Sequence, residues 1–253
     1  GAPPNRAAST SDAPEPRSLA DAGPVLETYA RILFAAYADA TAGAEALEAA
    51  CVPLTSGTPT EAALAAARDA WIAARPAYLQ TEVARFYGGP IDEPEHGREL
   101  LINTWPMDEA YLDYVAGPDG GTLIGGLVND RTALPEVTTD TIRALHLRGS
   151  EENVAVGFHA IELLLWGQDL RADGPGARSH MDFATGDGAT APNGDRRAAY
   201  LAAATDLLVL ELAAVRDAWR LDTPGSYAAT FVAVAPEEGI RRILVGMGTF
   251  AGT

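Results

Sequence analysis

Lysine is absent from this 253-residue chain, and cysteine occurs once, as Cys51. One cysteine excludes an internal disulfide, a paired-cysteine zinc motif and an iron–sulfur ligand set, and says nothing of redox compartment. All eighteen basic residues are arginines, spread too thinly to track phosphates, and thirty-five acidic residues leave a formal net charge of −17. That balance argues against nucleic acid as a partner and in favour of cations. No uninterrupted apolar run approaches the roughly twenty residues that a membrane span requires, so no membrane span is expected. The length is ample for a buried core.

The first eighteen residues, "GAPPNRAASTSDAPEPRS", are rich in Pro, Ala and Ser and lack an apolar signal core, and read as a flexible leader. Residues 19–253 read as one helical region. Apolar residues recur there at three- and four-residue spacing, and alternating β-branched runs are nearly missing. The expected fold is all-α, an antiparallel helical bundle. Helices are expected from about Leu19 to Cys51, with a possible break at Gly43 and an end before Pro53, and from a Thr60 cap to the Gly88–Gly89–Pro90 stop, with Pro76 a possible kink. A third is expected near "TWPMDEAYLDYV" with Pro106 in its first turn, a fourth from a Ser150 cap to Gly167, and a fifth from Asp195 to about Arg220. The Gly-, Pro- and Asp-rich stretch between Arg171 and Asp195 is long enough to be functional or to mark a sub-boundary between two bundles.

"VAVGFHAIELLLW", residues 154–166, holds only two polar side chains, His159 and Glu162. At helical spacing they lie about 60° apart on one face and converge. The apolar residues around them predict a helix buried on every side, and an ionised carboxylate there needs a partner. Three readings are open. One is a structural network with an arginine and a backbone carbonyl. The second is a metal site, since imidazole and carboxylate both ligate iron and zinc. The third is hydrolysis, for which the segment lacks the HExxH arrangement of a metallopeptidase. A di-iron bundle would need two Glu-x-x-His runs on helices, and Glu93 to His96 falls in a Pro- and Gly-flanked loop. On the second helix Leu64, Trp71, Tyr78 and Glu82 share one face, making Glu82 the best further ligand. Asp108 and Glu109 suit a helix dipole, and His96, His146 and His180 suit the surface.

"GFHAIELLLWGQDL" resembles the GxHxxE signature of the imelysin family on Gly157, His159 and Glu162. "WIAARPAYLQTEVARFYGGPID", "INTWPMDEAYLDYV" and "GPGARSHMDF" resemble the family's other segments in the same order. The resemblance implies an exported, periplasmic or envelope-attached bacterial protein of iron uptake, built as two related helical bundles with the motif helix near their junction. Members continue past a segment like "RRILVGMGTFAGT", so the second bundle is expected to be incomplete here. Some members are described as peptidases, which the motif does not justify, and the expectation leans away from an enzyme. The implied ligand is a metal ion, iron with zinc as the alternative, or an iron-containing molecule, and the implied partner an envelope iron-transport protein. The expected metal site is His159, Glu162 and Glu82, with Asp108, Glu109, Gly157, Asp169 and Arg178 as a second tier. The other readings are a metallopeptidase and a non-enzymatic helical module for partner binding.

Overall fold

A computed structural model describes Leu19 and residues 22–252 apart from His96. The leader at 1–18 and the Glu93–His96 run therefore fall wholly or partly outside the described residues. The fold is all-α apart from one minimal hairpin, β1 (Val115–Ala116) against β2 (Thr122–Leu123).

The frame is α1 (Gly23–Ser56), α2 (Glu61–Leu79) and α7 (Gly194–Ala218), with α1 packed on both of the others. Four residues join α1 to α2, which makes them an antiparallel hairpin. Small residues allow a close approach: a Cβ at Gly43 would stand 3.1 Å from Ala74 Cα, so this glycine marks a helix contact and not a break. Helix α7 also runs antiparallel to α1. Leu54 and Asp195 border one hollow, Glu48 feels the charge of Asp206, and Tyr29 meets the Trp219 ring edge-on at 6.0 Å. By length and composition alone α7 would be apolar enough to cross a membrane, yet 61% of its apolar window is buried and it buries Arg196, Arg197 and Glu211. It is a core helix of the bundle.

Several expected boundaries move for local reasons. Helix α1 continues through Pro53 for one more turn, where the Thr55 and Ser56 hydroxyls donate to Val52 O at 3.3 and 2.9 Å and satisfy a carbonyl at the helix end. Thr60 caps α2, accepting from Ala63 N at 3.1 Å, but α2 stops at Leu79 and not at Gly88. Thr81 closes the turn by donating its hydroxyl and its amide to Tyr78 O, and a short 3₁₀ turn at Glu82–Ala84 follows. The expected third helix shrinks to α4 (Glu109–Leu112), with Asp108 as its cap and Pro106 outside it. Short helices α3 (Glu99–Asn103), α5 (Thr139–Leu145) and α8 (Tyr227–Val232) and the C-terminal α9 (Pro236–Gly252) were not anticipated.

The motif helix is α6 (Gly157–Trp166), which begins seven residues after Ser150, so Glu151 and Glu152 lie outside it. It packs on α7, α2 and α3. One core cluster takes in α1, α2, α6 and α7, and also Phe183 from the stretch between α6 and α7.

Candidate functional site

Helix α6 is held at both ends by backbone contacts that its neighbours supply. Gly157 has φ +86°, and a Cβ there would stand 2.6 Å from Ile102 O, so only glycine lets the end of α3 lie against this turn. Gly157→Ala is expected to cost about 1–3 kcal/mol for the strained backbone alone, read as a lower denaturation midpoint in urea. At the other end Gly167, with φ +70°, donates to Leu163 O at 2.8 Å and ends the helix as expected. Arg68 of α2 donates through Nε and Nη2 to Leu165 O at 3.1 and 2.8 Å, and Arg178 N donates to Trp166 O at 2.8 Å. The Arg68 guanidinium thus stands at the negative end of the helix dipole, and Arg178 Nη2 lies 3.5 Å from Leu163 O.

Phe158, Ala160, Ile161, Leu163, Leu164 and Leu165 are buried, whereas His159, Glu162 and Trp166 form a half-open stripe. The expectation of burial on every side is thereby corrected: the Glu162 side chain is 42% exposed and that of His159 16%. Hydration of the carboxylate removes the need for a buried counter-charge. The two side chains do converge, with His159 Nδ1 and Glu162 Oε2 2.9 Å apart.

The stripe faces a cleft of about 480 Å³. Helix α2 contributes Trp71 and Ile72; the stretch into α4 contributes Trp105, Met107 and Glu109; Gly167, Asp169, Pro175 and Gly176 close the far side. Trp71 donates from Nε1 to Phe158 O at 2.9 Å and meets Trp166 edge-on at 5.4 Å. Trp105, 65% exposed, lies 4.9 Å from the imidazole of His159. Burial raises the Glu109 pKa, a hydrogen bond with Gln168 opposes the rise, and the charges of Asp169, Asp108 and Glu162 add to it.

The cleft therefore gathers His159, Glu162, Glu109 and Asp169 from the expected set and leaves out the others. Glu82 is not on its wall. The turn at Thr81 takes it out of register with Leu64, Trp71 and Tyr78, and it stands 4.0 Å from Arg85, which in turn pairs with Glu99 at 3.0 Å. Arg75, over the Trp71 and Phe158 rings at 5.6 and 5.0 Å, feels the charges of both Glu82 and Glu162. Asp108 is exposed and caps α4. Gly157 serves helix packing. Arg178 is buried in ion pairs with Asp113 and Asp182 at 2.9 and 3.1 Å. His146 is not a free surface residue: it is half-buried and bonded through both ring nitrogens. His180 is half-buried in a 3₁₀ turn, and His96 lies outside the described residues. Trp105 and Met107 carry no helical periodicity and could not be picked out as wall residues. Among the described residues no group of three or more His, Cys, Asp or Glu side chains is placed to hold a metal ion.

The family model described as Imelysin, designated peptidase M75, matches residues 33–253. The chain belongs to the imelysin family. Its fold is that of an imelysin-like protein from Psychrobacter arcticum 273-4, with a TM-score of 0.61 at 20% identity, covering 94% of this chain. The chain spans 62% of the length of that imelysin-like structure. No curated protein sequence matches it.

Proposed function

We propose that this imelysin-family chain serves bacterial iron uptake as an exported, envelope-located protein, and that its cleft takes up iron already carrying ligands of its own. The observation that supports this reading is the pairing of His159 with Glu162 on the one open stripe of an otherwise buried helix, facing a cleft sized for a small molecule. A closed metal site needs about four protein donors, and among the described residues no three converge. One imidazole nitrogen backed by a carboxylate instead fits a metal whose other positions are filled by a chelator. With Nδ1 engaged by Glu162, the ring offers Nε2 to the ligand, the arrangement in which a carboxylate fixes the tautomer of a ligating histidine. Iron is the proposed cargo, zinc the alternative, and an envelope iron-transport protein the proposed partner.

Ferric nitrilotriacetate, which leaves two coordination positions vacant, tests the proposal. At a hundredfold excess over its dissociation constant it should stabilise the wild type by about 2.7 kcal/mol, a rise of roughly 5–10 °C for a domain of this size. The rise should vanish in His159→Ala and shrink in Glu162→Gln, while nitrilotriacetate without iron should leave all three proteins unchanged. Equal rises in the three proteins would remove the pair from the site. The peptidase reading has the family designation behind it, but among the described residues no three metal-ligating side chains converge to serve it.

A further inference from the structure

Beyond its paired donors, the cleft has an unusual wall. Three of the chain's four tryptophans border it, Trp71, Trp105 and Trp166, together with Ile72, Met107 and Leu163. Three carboxylates border it as well, Glu109, Glu162 and Asp169, and among the described residues no arginine does. Two arginines stand behind the rings: Arg75 feels Glu162 from behind Trp71 and Phe158, and Arg68 lies over the Trp166 ring at 5.6 Å.

Carboxylates that outnumber the positive groups around them repel one another, and a cation placed among them relieves that repulsion. Indole rings attract the same charge through their electron-rich faces, and do so more strongly where water is displaced. A bare metal ion makes poor use of apolar rings and needs no space of this size. A molecule with an apolar body and a fixed positive charge uses rings, carboxylates and volume together.

We propose that the cleft binds a small organic cation, its ammonium group seated against Trp105 in the field of Glu109, Glu162 and Asp169. The proposal rests on the proposed function in taking this cleft as the ligand site, but not on metal ligation by His159. Under it, the organic part of the natural ligand is apolar and positively charged, and an iron complex that enters is neutral or cationic.

The experiment is a titration of the full chain with choline and, in parallel, with its neutral isostere in which a quaternary carbon replaces the nitrogen. Tryptophan fluorescence and saturation transfer to the methyl protons report binding. Choline should bind about tenfold more tightly than the isostere, and more weakly as salt is added. Trp105→Ala should weaken choline about fivefold, and Asp169→Asn should weaken it about threefold. Both side chains are largely exposed, so neither substitution puts folding at risk. Equal affinity for choline and the isostere, indifference to Trp105→Ala, or no binding of choline would each overturn the proposal. Ferric nitrilotriacetate run on the same samples separates the two readings. A response to the iron complex but not to choline sinks the organic cation and leaves the proposed function standing, and a response to choline alone does the reverse.

Discussion

Asp113→Ala is expected to lower the unfolding free energy by about 3–5 kcal/mol, the usual cost of leaving buried charge without its partner. Asp113 sits at the start of the hairpin and is fully buried. Its two oxygens accept from Arg197 Nε and Nη2 at 2.7 and 2.8 Å, and Arg178 Nη2 lies 2.9 Å from the same carboxylate. Asn129 Nδ2 and the Tyr114 amide complete its shell at 3.0 and 2.8 Å. Arg178 in turn meets Asp182 at 3.1 Å, so two carboxylates face two guanidiniums in a balanced cluster. Removing Asp113 leaves Arg197, itself fully buried, with only the carbonyls of Asp182 and Pro192 as acceptors. Burial alone would push the Asp113 pKa up, but the bonds from Arg197 and the charges of Arg178 and Arg197 prevail and hold it below the usual carboxylate range. For an acid with a depressed native pKa the stabilisation is complete above the unfolded value and is lost as pH falls through the folded one. The ion pair is thus lost only as pH falls below the usual carboxylate range. Denaturation in urea checks the prediction: the midpoint should fall with the slope unchanged. A loss below about 1 kcal/mol would mean that the cluster relaxes into water and does not pin α6 to α7.

The cluster also shows which parts of the molecule the chain discloses in one dimension. Long helices were legible because many apolar residues repeat one spacing, as in α1, α2 and α7, and because caps such as Thr60 and Gly167 are chemically marked. Helices of four to seven residues, α3, α4, α5 and α8, repeat nothing, and their existence depends on caps and on what they pack against. The convergence of His159 and Glu162 followed from spacing alone, whereas their exposure did not. Counting apolar neighbours made α6 buried on all sides, but His159, Glu162 and Trp166 are three and four residues apart and open one stripe to solvent. Glu82 failed for a different reason. Its inward placement assumed a helix running past Pro76, and one threonine closing a turn at Tyr78 ended that register. Asp113 and Arg197 are separated by most of a bundle in sequence, and nothing local to either residue names the other.

Acid should act on the fold through His146, the second large effect. The Ala155 amide donates to its Nδ1 at 3.2 Å, so that nitrogen carries no proton, and Nε2 lies 2.7 Å from Leu100 O, to which it must donate. The neutral ring is a clamp between the first turn of α3 and the strand-like approach to α6, where Tyr200 also holds Ala155 O at 2.8 Å. Protonation would set an N–H against the Ala155 N–H and charge a group that is largely removed from water. Desolvation accordingly lowers the His146 pKa to about 4, with the bond to Leu100 opposing it. An unfolded histidine titrates near 6.5. Between these values the unfolded chain holds more protons than the native one, so stability falls as pH falls from about 6.5 to about 4, by roughly 3 kcal/mol. Burial raises the native pKa values of Glu99 and Glu109, against the opposing bonds from Tyr78 and Gln168, and both contribute the opposite slope. The informative quantity is therefore the difference between wild type and His146→Gln. The variant should be less stable at pH 7, for want of the clamp, and should lose the acid-sensitive portion, so that the two curves approach one another by about 3 kcal/mol on going from pH 7 to pH 4. Parallel curves across that window would show that His146 titrates alike in both states and that the clamp opens without cost. Because its arginines hold the Asp113 pKa below the usual carboxylate range, a wild-type loss that persists in His146→Gln would point to a group outside both clusters.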